Sequence, residues 1–89
     1  MTYDVLLHPK AAKELQQLNE PLRSRIRESL RELGSEPERS GKPLKGSKYW
    51  SLRIGDYRAI YEISREKKQV IVLFIGHRRD VYDDFSKIF

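Results

Sequence analysis

The spacing of apolar residues divides the chain into segments of two kinds. Residues 3–7 and 50–75 carry apolar positions in short runs or in strict alternation, which is typical of strands. Residues 9–33 carry them every three or four positions, which is typical of helices. The pattern predicts one strand, two helices and then three strands, in a single domain over residues 1–89.

The helical segment contains two predicted helices joined by a short connection. The first covers residues 9–18, and the second opens at Pro21, because proline suits the first turn of a helix. Gly34 is a C-cap candidate, and Pro37 is expected to stop the helix from resuming. So short a connection makes the pair an antiparallel hairpin. The apolar stripes of the two helices are formed by Ala11, Leu15, Leu18, Leu22, Ile26, Leu30 and Leu33.

Three further strands are predicted after a loop. The loop, residues 35–47, is rich in proline and glycine and leads into an edge of the sheet. The strands cover residues 50–54, 57–63 and 70–75, and residues 79–87 are expected to form a short helix. The predicted fold class is therefore α+β. It is an antiparallel β-meander with an N-terminal strand, a helical hairpin packed on one face and a short C-terminal helix.

Alternation within the strands indicates which face of the sheet carries function. Leu52 and Ala59 point to one face, whereas Arg53 and Arg58 point to the other. Because the helical hairpin covers the apolar face, the opposite face must carry whatever chemistry the protein performs. The last strand is apolar on both faces, so we expect an inner strand that is covered on both sides.

The net charge of +5 is concentrated in one part of the chain. Residues 39–58 hold six basic residues and one acidic residue, an excess equal to the whole net charge. Such a local excess suits a polyanion, because phosphate contacts release counterions. A solvated basic loop is the alternative interpretation. The six basic residues are Arg39, Lys42, Lys45, Lys48, Arg53 and Arg58.

Composition excludes several kinds of site. Without cysteine there is no disulfide, thiol nucleophile or cysteine-ligated metal. No glycine-rich loop followed by lysine occurs, and His8 and His77 lack carboxylates at metal-ligand spacing. We therefore expect no metal and no cofactor. No apolar run is long enough to span a bilayer, so we expect a soluble, cytoplasmic protein without a membrane partner.

A set of basic and aromatic residues remains. Arg53 and Arg58 lie on the face opposite the helices, and Arg78, Arg79 and Tyr82 follow the last strand. Arginines among aromatic residues on an open sheet face are costly without an anionic partner. The alternative is that Arg58 and Arg78 form ordinary surface salt bridges, which contribute little. The candidate carboxylates for those pairs are Glu62, Asp80 and Asp83.

Two motifs in this region resemble those of the RelE/ParE toxin superfamily. Residues 50–61 read WSLRIGDYRAIY and are similar to its central signature. Residues 75–82 read IGHRRDVY and resemble its ending, and residues 44–46 match the lead-in to the first motif. The resemblance extends over nearly the whole chain and implies a RelE-like fold.

The resemblance implies a toxin of a type II toxin–antitoxin system, in the RelE-like branch. It implies a ribosome-dependent endoribonuclease, an mRNA interferase that cleaves mRNA in the ribosomal A site without a metal and so inhibits translation. The ribose 2′-hydroxyl attacks the adjacent phosphate, leaving a cyclic phosphate and a free 5′-hydroxyl. The implied partners are a cognate antitoxin, the ribosome and mRNA.

The motif matches imply roles for individual residues. Arg58 stabilises charge on the phosphate, and Arg53 is the second basic residue of the preceding strand. Arg78 assists the leaving group, and Tyr82 stacks on or orients the substrate nucleotide. Contacts to RNA or the ribosome are expected from Arg39, Lys42, Lys45, Lys48 and Arg79.

Two positions depart from the superfamily pattern. Ser51 replaces a basic residue and cannot take a proton at neutral pH, and His77 stands where the bacterial pattern has lysine. Arginine is a poor general base because it stays charged. Either His77 acts as acid or base, or catalysis rests on charge stabilisation and on alignment of the 2′-hydroxyl by the ribosome. We favour the second, since His77 also fits a strand-end position.

Two other functions stay open. A ParE-like toxin poisons DNA gyrase and is not a nuclease, and Tyr82 is the feature that argues against it here. A non-catalytic relic that only binds its antitoxin is kept open by Ser51. An antitoxin contact is also one of two interpretations of the C-terminal apolar cluster, the other being packing of the last helix on the sheet. That cluster consists of Tyr82, Phe85, Ile88 and Phe89.

Overall fold

Eight elements follow one another along residues 2–77, the part of the chain that the structure, a computed structural model, describes. The helices are α1 (Pro9–Gln16), α2 (Leu22–Leu33) and α3 (Pro37–Ser40). The strands are β1 (Asp4–Leu7), β2 (Lys42–Pro43), β3 (Tyr49–Ile54), β4 (Tyr57–Ser64) and β5 (Gln69–His77). The predicted C-terminal helix, residues 79–87, lies outside the described residues.

The strands form one sheet in the order β1-β5-β4-β3-β2. Strands β2 to β5 pair antiparallel with their neighbours, which confirms the predicted meander. Strand β1 joins β5 in parallel, so β5 is an inner strand as expected. Together with the helices, this confirms the predicted α+β fold.

The apolar stripes of α1 and α2 are buried against one face of the sheet. Full burial of a residue such as Ile26 contributes about 1.5–3 kcal/mol. We call the opposite face the open face. The buried members of the core are Ala11, Leu15, Ile26, Leu30, Leu33, Leu52, Ile54, Ala59, Tyr61, Val70, Val72 and Ile75.

Both helices end close to where the sequence predicts. α1 stops two residues early, because the Leu18 N–H donates to the Leu15 carbonyl in a tighter i to i+3 turn of 3.2 Å. Gly34 follows α2 with a right-handed φ of −63°. A side chain there would be obstructed, since its Cβ would lie 2.6 Å from the Tyr3 carbonyl oxygen.

The expectation of a plain loop over residues 35–47 is wrong for two short stretches. Pro37 begins a single helical turn, α3, because its fixed φ suits a first helical position. The Ser40 hydroxyl closes that turn by donating to the Glu36 carbonyl at 2.8 Å. β2 then forms an outer edge of the sheet, where Pro43 is tolerated.

A β-bulge in β5 explains why this strand is apolar on both faces. Tyr61 pairs with Val72 and the preceding Ile60 pairs with Phe74, so Leu73 is the extra residue. Val72 therefore faces the helices, whereas Phe74 faces the open side. β5 also extends beyond the predicted strand at both ends.

Candidate functional site

Two arginines occupy directly opposed positions at one end of the open face. The β3–β4 register pairs Arg53 with Arg58, next to the turn that Gly55 and Asp56 form. Gly55 has a φ of +62°, as a two-residue hairpin turn of type II′ requires at its first position. Opposed residues of a ladder share a face, so both guanidinium groups lie on the open face, as predicted. We call these two residues the arginine pair.

The side chains of the arginine pair are held differently. Arg53 is exposed, and its Nε donates to the Gly55 carbonyl at 3.2 Å. Arg58 is half-buried, with its Nε shielded from solvent, and its Nη1 donates to the Ser51 hydroxyl oxygen at 3.2 Å. A serine within β3 therefore orients Arg58, whereas the hairpin turn orients Arg53.

Lys42 extends the basic surface towards the β2 edge. Its register partner is Ser51, so Lys42 shares the open face, and its side chain is exposed. On the other side of β4, Arg58 pairs with Gly76, which presents no side chain beside it. The basic surface therefore crosses β2, β3 and β4 at one end of the sheet.

Three other predicted RNA contacts lie in the segment between α2 and β3. Arg39 on α3 and Lys45 in the following turn are exposed. The Lys48 amine forms an ion pair with the Glu62 carboxylate at 2.9 Å, and this partner raises the pKa of Lys48. Glu62, considered above as a partner of Arg58, thus pairs with Lys48. Contact of these three residues with RNA stays a prediction.

A buried tyrosine anchors the helical turn that carries Arg39. The Tyr61 hydroxyl donates to the Pro37 carbonyl at 2.6 Å, and its ring stacks on Trp50 with a centroid distance of 6.3 Å. Burial raises the pKa of Tyr61 to about 12, so the hydroxyl keeps its proton at neutral pH. The sequence placed Tyr61 on the core face but gave no hint of this anchor beyond the need of a buried tyrosine for a partner.

His77 lies on the other side of the sheet from the arginine pair. The register pairs it with Tyr57, and the two rings meet edge to face at a centroid distance of 5.7 Å. Tyr57 packs against the core cluster, so the face that they share is the helix-covered one. The structure therefore does not bring His77 together with Arg58.

Arg78, Arg79 and Tyr82 lie outside the described residues. The same holds for the rest of the C-terminal apolar cluster, Phe85, Ile88 and Phe89, and for Asp80 and Asp83. The roles assigned to all of these residues stay predictions.

An apolar patch adjoins the arginine pair on the open face. Ile60 and Phe74 are buried there, with Leu44, Tyr49 and Leu73 packed against them. We expected β5 to be covered on both faces, and the burial of Phe74 on the open face agrees with this expectation. Since Ile60 and Phe74 are themselves buried, the apolar surface of this patch comes from the partly exposed Leu44, Tyr49 and Leu73.

Ser51 is a residue of the site to which sequence reasoning gave no role. Its side chain is buried, with 5% exposed, and it contacts Arg58. A two-residue turn at Gly55 and Asp56 fixes the register of the hairpin. Position 51 then falls diagonally across from position 58, so the contact could have been found from the turn alone.

The chemistry available to the arginine pair is that of anion binding. Guanidinium groups donate to phosphate oxygens in a fixed fork and stabilise developing negative charge. They stay charged and so do not accept a proton. Within residues 2–77, no cluster of three or more histidine and carboxylate side chains is placed to hold a metal ion. None of the helices in the described part of the chain is long and apolar enough to cross a membrane.

The chain is similar to known toxins in sequence and in structure. A family model described as the ParE toxin of the type II toxin–antitoxin system, parDE, matches residues 5–82. Toxin RelG of Mycobacterium tuberculosis is 34% identical over 85 residues, which are 92% of this chain and 98% of that protein.

Two solved toxin–antitoxin complexes contain chains of similar structure. In the RelBE2 complex of Mycobacterium tuberculosis the TM-score is 0.82 at 32% identity, covering 88% of this chain and 100% of that chain. In the archaeal RelE–RelB complex of Pyrococcus horikoshii OT3 the TM-score is 0.76 at 30% identity, covering 88% and 97%.

Proposed function

This chain belongs to the ParE toxin family of type II toxin–antitoxin systems, within the RelE/ParE superfamily, and on that premise we propose that it is a ribosome-dependent endoribonuclease. Its substrate is mRNA in the ribosomal A site. The observation that carries the proposal is the arginine pair on the open face, with Arg58 oriented by a hydrogen bond from Nη1 to Ser51.

The reaction moves charge onto a phosphate. The 2′-oxygen attacks phosphorus and loses its proton to solvent, the bond from phosphorus to the 5′-oxygen breaks, and that oxygen takes up a proton. Negative charge grows on the two non-bridging oxygens in between. Arg58 donates to them in this proposal, and Arg53 holds the RNA backbone beside it. Loss of one such donor costs about 10²–10³ in rate.

Proton transfer is not assigned to the arginine pair. Guanidinium groups cannot act as bases, and the register places His77 on the opposite face of the sheet. This supports the version in which the ribosome aligns the 2′-hydroxyl and the toxin stabilises charge. Arg78 and Tyr82 keep the roles proposed from the motifs, assistance to the leaving group and stacking on the nucleotide.

The remaining basic residues guide RNA to the site. Lys42 shares the open face, and Arg39 and Lys45 are exposed beside the β2 edge. Charges placed in this way release counterions from the RNA backbone and speed encounter with the ribosome. Arg79 is assigned to the same role from its place in the motif.

We propose a cognate antitoxin as the protein partner. The similar toxins from Mycobacterium tuberculosis and Pyrococcus horikoshii are found in complexes with antitoxins. An antitoxin segment that covers the open face would keep the arginine pair from RNA. Action on translating ribosomes places the protein in the cytoplasm.

Primer extension on a defined mRNA in a purified translation system tests the reaction class. The expected result is cleavage within codons when ribosomes translate and intact mRNA when they are left out. Cleavage products should carry a cyclic phosphate and a 5′-hydroxyl. Uncut mRNA under translation would contradict the proposal.

A second candidate function is inhibition of DNA gyrase, which the match to the ParE family model favours. A supercoiling assay with the same protein preparation distinguishes the two. Gyrase inhibition at low toxin excess, with mRNA left intact, would replace the endoribonuclease by this function.

A further inference from the structure

We propose that Ser51 is a positioning residue, which holds the Arg58 guanidinium in the orientation from which it meets the phosphate. The contact itself is the hydrogen bond from Arg58 Nη1 to Ser51 Oγ, 3.2 Å long. Its catalytic meaning rests on the proposed function, whereas the contact can be measured without any RNA.

The strand register sets the direction in which Arg58 leans. Arg58 is directly opposite Arg53, and Ser51 is directly opposite Ile60. To reach Ser51, the Arg58 side chain must lean diagonally, away from the turn. The Arg53 side chain leans the other way and donates to the Gly55 carbonyl at 3.2 Å. The serine therefore draws one guanidinium group away from the other across a like-charged pair.

Burial makes the serine contact specific. Among the residues that the structure describes, Ser51 stands out as a polar residue that is buried, with 5% of its surface exposed. A buried hydroxyl is costly unless it is hydrogen-bonded, and this one accepts from Arg58. The directly opposed Ile60 has no exposed surface, so the hydroxyl lies beside a fully buried part of the sheet.

A neutral acceptor suits this position better than a charged one. A carboxylate at position 51 would neutralise Arg58 and compete with the phosphate. A lysine would repel it. A serine hydroxyl has two lone pairs and one proton, so it orients the cation without placing a negative charge beside it. In this proposal Ser51 does not take part in proton transfer, and it contributes to the reaction by orienting Arg58.

The cleavage experiment compares variants at saturating amounts of programmed ribosomes. Ser51→Ala is expected to lower the cleavage rate constant about tenfold with little change in the apparent KM. Ser51→Thr keeps the hydroxyl and should restore most of the rate. Ser51→Cys preserves volume but accepts weakly, so it should lose rate like Ser51→Ala and provides a second variant if the alanine chain does not fold.

A double-mutant comparison with Arg58 distinguishes a positioning role of Ser51 from a direct contact between Ser51 and the RNA. In an Arg58→Lys background, where the fork is absent, Ser51→Ala should cause no further loss. An equal loss in both backgrounds, an unchanged rate for Ser51→Ala, or no rescue by Ser51→Thr would overturn the proposal.

NMR of the arginine side chains tests the contact independently of RNA. The Arg58 Nη signals should show slow rotation of the guanidinium group in the wild-type chain and in Ser51→Thr. In Ser51→Ala they should average. If the wild-type chain fails to cut mRNA while these signals change as expected, the proposed function fails and the positioning contact stands. Unchanged signals in Ser51→Ala would overturn the contact itself.

Discussion

Arg53 and Arg58 are cross-strand partners whose guanidinium groups bend apart, one to the Gly55 carbonyl and the other to the Ser51 hydroxyl. Like charges directly opposed in an antiparallel ladder are destabilising, and solvent screening weakens the effect at the exposed Arg53. An anion bound by both guanidinium groups reduces this repulsion, which is the physical reason for placing a phosphate there.

Removal of one charge from the pair should stabilise the fold. Arg53→Gln removes the charge but keeps a polar side chain, and it is expected to raise the free energy of unfolding by at most about 1 kcal/mol, while it lowers cleavage activity. Urea unfolding measures the first effect. Lys67→Gln, at an exposed position in the turn at the far end of β4, is the matched control and should leave stability unchanged. Destabilisation by Arg53→Gln would contradict the electrostatic account of the pair.

The Tyr61 hydroxyl should matter for the segment that carries Arg39. Tyr61→Phe leaves the Pro37 carbonyl without the donor that now lies 2.6 Å away. An unsatisfied buried acceptor costs about 1–3 kcal/mol. We expect that loss in urea unfolding, together with faster amide exchange at Arg39 and Ser40, whose N–H groups bond to Glu36. Exchange as slow as in the wild type would show that α3 is held by other contacts.

Glu38 should titrate below its usual range in the folded chain. Hydrogen bonding and charge from Arg65, at 2.9 Å, lower the pKa of its carboxyl. A depressed folded-state pKa gives stability above the unfolded pKa that is lost as the pH falls through the folded one. Carbon-13 NMR titration of Glu38 measures it, and Arg65→Gln should return the pKa to its ordinary value. The same pKa in both chains would exclude the ion pair in solution.

Lys42 should contribute to RNA affinity rather than to catalysis. It is exposed on the open face beside Ser51. Lys42→Gln is expected to weaken binding to programmed ribosomes. The slope of the logarithm of the binding constant against the logarithm of the salt concentration should become shallower by about one unit. Lys67→Gln again serves as the control. An unchanged slope for Lys42→Gln would remove Lys42 from the RNA surface.

Much of the fold follows from the apolar spacing. The stripe at Ile26, Leu30 and Leu33 is buried as predicted, and the two-residue turn sets the β3–β4 register from Ile54 and Tyr57 outwards. These features depend on local periodicity and turn chemistry, which the sequence displays directly. The opposed placement of Arg53 and Arg58 follows from the same turn.

Other features depend on contacts between distant segments. The helical turn at Pro37 is held by Tyr61, 24 residues away. The bulge at Leu73 is a feature of the pairing between β5 and β4. It turns Phe74 to the open face, whereas Val72 faces the helices. The sequence placed His77 near the site in the chain, but only the register shows that it shares a face with Tyr57. Alternation counted without the bulge does not give this result.

The most direct test of the account is the single-turnover cleavage rate of mRNA on programmed ribosomes for the wild-type, Arg58→Ala and Lys67→Ala chains, each first shown to be folded. Arg58→Ala is expected to lower this rate by about 10²–10³, whereas Lys67→Ala should cleave at the wild-type rate. Equal rates for wild type and Arg58→Ala would contradict the claim that the arginine pair stabilises charge on an RNA phosphate.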